Sequence, residues 1–135
     1  MAIKQIIDDI IAQLRVEMTE LAVEEFPDNP RDYKLLHSLG AILVSYNRSN
    51  FEEPDGYQYV QQKELMSFQT TLIIRGLHTS SGAYDIIDRI KTALTGFEPT
   101  DCTPMYPTNI SFIVENAGIW QFAIIFNTTN ENYSE

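Results

Sequence analysis

Near the start of the chain, apolar residues recur at three- and four-residue steps: Ile3, Ile6, Ile7, Ile10, Ile11, Leu14, Met18 and Leu21. That spacing predicts an amphipathic helix over about residues 2–21. Asp8, Asp9, Gln13, Glu17 and Glu20 take its wet side, with the acidic pair early and Arg15 later, an order that suits the helix dipole. The run Phe26-Pro27-Asp28-Asn29-Pro30 then makes a turn, since neither proline fits a helix interior. Residues 23–26 read as a short edge strand and 31–36 as one helical turn. Residues 40–46 (GAILVSY) are a continuous apolar run, the pattern of a central strand. A polar loop over 47–59 follows, with Pro54-Asp55-Gly56 at its tip.

Over 60–75 polar and apolar residues alternate in part, through Leu65, Phe68, Thr70, Leu72 and Ile74. This predicts a long strand with a bulge near Met66-Ser67, paired with 40–46 as a hairpin. Ala83, Ile86, Ile87, Ile90 and Leu94 share one face of a second helix over about 82–95. Ser80 or Ser81 is its expected N-cap, Asp85 lies in its first turn, Lys91 near its end and Gly96 at its C′ position. A proline-rich connector spans 97–108. Ile110, Phe112 and Val114 alternate in one closing strand, and Trp120, Phe122, Ile124 and Phe126 in the other. Asn116-Ala117-Gly118 turns between them, with Gly118 free to take positive φ. The polar end, 129–135, reads as a frayed tail.

The order helix, strand, strand, helix, strand, strand implies an α+β fold. The expected architecture is a two-layer sandwich: one mostly antiparallel sheet of about four strands with two helices packed on one face. No internal linker divides the 135 residues, so they form a single domain, long enough for its own core.

Composition narrows the functional classes. With 44% hydrophobic and 11% aromatic residues the chain is of the folded, globular type. No apolar run approaches the roughly 20 residues of a membrane helix, and the N-terminus mixes charge with isoleucine, unlike a signal peptide. The expectation is a protein made and used in a cytoplasm. Nineteen acidic against nine basic residues leave a net charge of −10. That argues against binding to phosphate backbones or anionic membranes, which needs a basic stripe. It suits plain solubility, or a channel wall that lets DNA pass without holding it.

The residues offer no chemistry. Cys102 is the single cysteine and His37 and His78 the two histidines, with no metal-ligand spacing around them. Phosphate-loop, dinucleotide and nucleophile-elbow motifs are absent. The pairs Asp8/Asp9, Glu24/Glu25, Glu52/Glu53 and Asp85/Asp88 read as solvated helix or loop carboxylates; Glu52, Glu53 and Asp55 are a weak divalent-cation candidate. No catalytic, cofactor or metal residue is expected, and no enzyme activity. What remains is aromatic residues on predicted loops: Tyr33, Tyr46, Phe51, Tyr57, Tyr59 and Tyr106. They serve either as interface anchors or as the rim of the domain's own core. The interface candidates are Tyr46, Arg48, Phe51, Tyr57 and Tyr59, gathered on or beside the 47–59 loop.

Four segments occur in order: EEFPDNPRDYKLLHSLGAILVSY, TALTGFEP, PMYP and GIWQFAIIFNTT. In them the chain resembles the tail terminator (tail completion) family of Mu-like contractile-tailed phages, over about residues 3–129. The resemblance implies an α+β subunit of a homohexameric ring. Such a ring binds the last ring of the tail tube, stops tube and sheath polymerisation, and offers a surface to the head–tail connector or neck. It implies no cofactor, a place in the virion tail, assembly in the host cytoplasm, and DNA passing through the lumen without specific binding. Six copies would carry six times −10, or −60. The same part in a headless injection particle is a close variant. The reading from another class is a small ligand-binding or regulatory α+β domain, which would need convergent polar groups in a pocket.

Overall fold

A computed structural model describes residues 2–28, 39–53, 60–77 and 82–134. Its elements run α1 (Ala2–Glu17), β1 (Ala22–Glu25), β2 (Gly40–Phe51), β3 (Val60–Arg75), α2 (Ala83–Leu94), β4 (Tyr106–Asn116) and β5 (Ile119–Ser134). The strands form one mixed sheet in the order β1-β2-β3-β5-β4. Only β1–β2 is parallel; the other three pairings are antiparallel. The sheet therefore has five strands where about four were expected, because the short segment before the Phe26-Pro27 turn is a true edge strand.

Both helices lie on one face of the sheet. Ile6, Ile10 and Leu14 of α1 and Ile86, Ile90 and Leu94 of α2 are fully buried. They meet Ile42, Val44, Met66, Phe68, Leu72, Ile74, Ile124 and Phe126 in one apolar cluster. Directly opposed residues of antiparallel strands share a face, so the register Phe68↔Phe126, Thr70↔Ile124 and Leu72↔Phe122 places these side chains together. Ala41, Leu43, Thr71 and Ile73, on the opposite face, are also buried. Burial on both faces is what a continuous apolar run such as GAILVSY requires.

The termini of the elements depart from expectation in informative ways. Helix α1 stops at Glu17, not at residue 21, because the chain must turn through Thr19-Glu20 to enter β1; Met18 and Leu21 stay buried after it ends. Its first turn holds no acid, so Asp8 and Asp9 lie too far along to complement the dipole, while Arg15 does sit in the last turn. Arg15 donates from Nε and Nη2 to the carbonyl of Val23 at 3.1 and 2.8 Å, fastening α1 to β1.

Helix α2 is capped by Gly82 in extended backbone, with no side-chain cap, and Ser80 and Ser81 lie outside the described residues. Its first amides are satisfied instead by carbonyls of the chain leaving β3: Ala83 N–H donates to Gly76 at 3.0 Å and Tyr84 N–H to Leu77 at 3.3 Å. At the far end Gly96 takes φ +84, as its C′ position requires.

The sheet is longer than the sequence suggested. β2 runs on to Phe51, so 47–51 is strand and not loop. The extra residue of the bulge is Asn47 on β2, where the register steps from Tyr46↔Phe68 to Arg48↔Ser67, and not on β3 as expected. The end expected to fray is strand: β5 pairs with β3 from Arg75↔Ile119 to Val60↔Ser134. A 16-residue β3 supplies a partner for each of those polar residues. The helical turn at 31–36, the loop tip at Pro54-Asp55-Gly56 and both histidines lie outside the described residues.

Candidate functional site

The sheet order leaves β4 as a terminal strand, and its 11 residues hold five of the eight exposed large apolar side chains among the described residues. Phe112 is 55% exposed, and Tyr106, Ile110, Ile113 and Val114 lie between 40% and 46%. The sequence pattern has Ile110, Phe112 and Val114 alternating along this strand. They lie at the rim because the helices cover β1 to β3 and their immediate neighbours, and β4 is two strands beyond β3. A bulge also breaks the alternation. The register steps from Phe112↔Phe122 to Val114↔Gln121, so Ile113 is extra and Val114 faces the other way.

Phe112 does not stand alone. Its ring lies 5.9 Å from Trp120 and 5.8 Å from Phe122, and Phe122 meets Tyr84 of α2 edge-on at 6.5 Å. These tilted geometries suit the ring quadrupoles. The result is a four-ring aromatic cluster, buried at Phe122 and open to solvent at Phe112 and Tyr84. Such half-buried rings are held rigid by their own domain, as interface anchors are.

The β4–β5 turn ends this edge. Ala117 (φ 53) and Gly118 (φ 82) both take positive φ, the two-residue hairpin geometry whose twist matches the strands. Glu115 folds back, its Oε2 accepting from Gly118 N–H at 2.8 Å.

The expected interface residues sit elsewhere. Tyr46, Arg48 and Phe51 are brought to the end of β2, while Tyr57 and Tyr59 lie outside the described residues. Tyr46 belongs to the rim of the core: its ring meets Phe68 edge-on at 5.7 Å and its hydroxyl lies 2.6 Å from Ser49 Oγ, which donates to Glu64. Arg48 and Phe51 are exposed but point to opposite faces, since Arg48 opposes Ser67 and Phe51 opposes Glu64. Phe51 lies level with Glu64, whereas Phe112 lies level with Leu72 through Phe122. Eight residues of strand separate the two levels, about 26 Å along the sheet.

Chemistry is sparse. Among the described residues no group of three or more His, Cys, Asp or Glu side chains could hold a metal ion. Cys102 is half-buried, and burial pushes its thiol up, away from the thiolate. The concavity beside it is lined by Glu98, Asp101, Thr103, Thr129 and Asn130. Several of its polar atoms bond one another: Asn130 Nδ2 donates to Asp101 carbonyl at 3.0 Å, and Thr129 N–H to Thr103 Oγ1 at 3.0 Å. Among the described residues no helix is long and apolar enough to cross a membrane.

The model of the Gp37 protein family matches residues 10–133. No curated protein matched the chain. Among solved structures, a chain from the virion of a native gene transfer agent particle is similar, with a TM-score of 0.62 and 15% identity. The likeness covers 97% of this chain and 98% of that one, and at such identity it speaks for the fold alone.

Proposed function

Because the chain belongs to the Gp37 protein family, we propose that it is a structural component of a phage-like virion, the ring that ends the tail tube. In this reading six copies close head-to-tail on the last tube ring. They stop further tube and sheath addition and present a surface to the neck or connector, while DNA passes through the lumen. The role is mechanical and needs no turnover.

The observation that carries the reading is the whole-length likeness in fold to a chain of an assembled virion, with almost no residue of either chain left over. Three further features support it. The four segments in which the sequence resembles tail terminators include β1 residues Glu24 and Glu25, the first part of β2, the end of α2, the start of β4 and much of β5. Among the described residues, the exposed large apolar side chains concentrate on one sheet edge, as a docking protein needs. The net charge of −10 would let a lumen repel phosphate. The ligand-binding alternative has less support, because part of the polar lining beside Cys102 is held in hydrogen bonds within the chain.

Negative-stain microscopy of particles made with and without the gene tests this. Overlong or headless tails are expected on deletion. Tails of normal length joined to heads would sink the reading.

A further inference from the structure

We infer that the outer edge of β4, with the aromatic cluster behind it, is where a second copy of this chain docks, forming the subunit contact of the ring. The inference rests on the ring reading above. Three observations single out this surface and this occupant.

The first is the contrast between the two sheet edges. β1 has four residues, and Arg15 occupies the carbonyl of Val23. Natural sheets blunt their edges in this way, with short strands and cationic side chains. β4 has 11 residues and no lysine or arginine. Its one proline, Pro107, stands at the start, where a missing N–H matters least. Bulges at Thr108 and Ile113 keep the edge from offering an unbroken ladder. Contact is therefore made through side chains as much as through backbone.

The second is charge. Between Tyr106 and Asn130 the single charged residue is Glu115, and it is tied to its own turn. A partner recruited by charge to a −10 chain would be basic and would seek the acidic side chains that lie elsewhere, such as Glu24, Glu25, Glu52 and Glu53. This surface has almost no charge to offer such a partner. It is where a like-charged copy approaches at least electrostatic cost.

The third is area. Five side chains exposed by two-fifths or more line this edge, Ile110 and Phe112 on the helix side of the sheet and Tyr106 and Val114 on the other, and together they present on the order of 400–500 Å². A standard interface takes about 800 Å² per partner. A copy that grips this edge from both sides meets these side chains at the apolar centre of the contact, and the exposed Thr108, Asn109, Ser111 and Asn116 supply its polar rim.

The test places a photoreactive phenylalanine analogue at Phe112, both in the purified full chain and in assembled particles. The expected product is a dimer of this chain, identified by mass spectrometry. The double variant Ile113→Lys, Val114→Lys, with unchanged circular dichroism, should lose the multimer seen by light scattering and fail to enter particles. Crosslinks only to another protein, or none in either preparation, overturn the inference, as does a double variant that assembles like the parent. The two readings fail separately. Normal tails on deletion alongside a self-crosslink would sink the terminator and leave the surface. Overlong tails alongside a crosslink elsewhere would do the reverse.

Discussion

At the scale of single residues, polar side chains act as clips between elements. Arg89 of α2 forks onto the Glu20 carboxylate and donates to the Glu17 carbonyl at 3.0 Å, tying α2 to the end of α1. The hydrogen bond from Arg89 holds the Glu20 carboxyl below the usual carboxylate range. Asp9 fastens α1 to the connector: Oδ2 accepts from Thr100 N–H at 2.8 Å and Oδ1 from Gln5 at 2.8 Å. Partial burial alone would push the Asp9 carboxyl up, but the Thr100 and Gln5 bonds outweigh it and leave it lowered. A carboxyl lowered on folding stabilises above its unfolded value, near pH 4, and loses that contribution as pH falls through the folded value. Asp9→Asn should therefore cost about 0.5–1 kcal/mol at neutral pH, allowing for partial solvent exposure. The gap between variant and parent should close in urea titrations below about pH 4. A gap that persists into acid would show that the clip acts without its charge. Nothing in the sequence marks this pair, since Asp9 and Thr100 are 91 positions apart.

At the scale of elements, the local periodicities were sound guides. The isoleucine stripes located both helices, and the switch from helical spacing to continuous apolar residues located β2. The failures lie at element ends. Gly82 caps α2, and the Gly76 and Leu77 carbonyls take its first two amides, a tertiary arrangement that the sequence around the helix start does not reveal. Gly40, at the start of β2, has a tertiary reason that its neighbours in sequence do not reveal. A Cβ there would lie 2.6 Å from the Ile73 carbonyl oxygen and 3.2 Å from Ile74 Cα, both backbone atoms. Gly40→Ala should thus force β2 and β3 apart and cost about 1–3 kcal/mol, measured by chemical denaturation. A variant as stable as the parent would mean that the strand start shifts freely.

At the scale of the whole molecule, charge and apolar surface are segregated. Charged residues lie on the helices, on β1 to β3 and in the connectors, whereas β4 and the first part of β5 hold only Glu115. Self-association through β4 then works against a diffuse repulsion between copies at −10 each. The Debye length shrinks from about 30 Å at 0.01 M salt to about 10 Å at 0.1 M. Added salt should therefore tighten the association seen by light scattering, and weakening with salt would point to paired charges across the contact.

What the sequence by itself determined is what short-range spacing can encode: two amphipathic helices, a central apolar strand, a long β3, the Ala117-Gly118 hairpin and the absence of motif chemistry. Tertiary structure alone decided which apolar residues are core. Ile124 and Ile110 read alike in sequence and face each other in the sheet, yet Ile124 is fully buried and Ile110 is 40% exposed. The same holds for the polar end of β5, which is strand because β3 extends beside it. Spacing along a chain sets which face a side chain takes; burial depends on what lies over that face. Strand order, a relation among segments distant in sequence, put β5 inside the sheet and β4 at its edge.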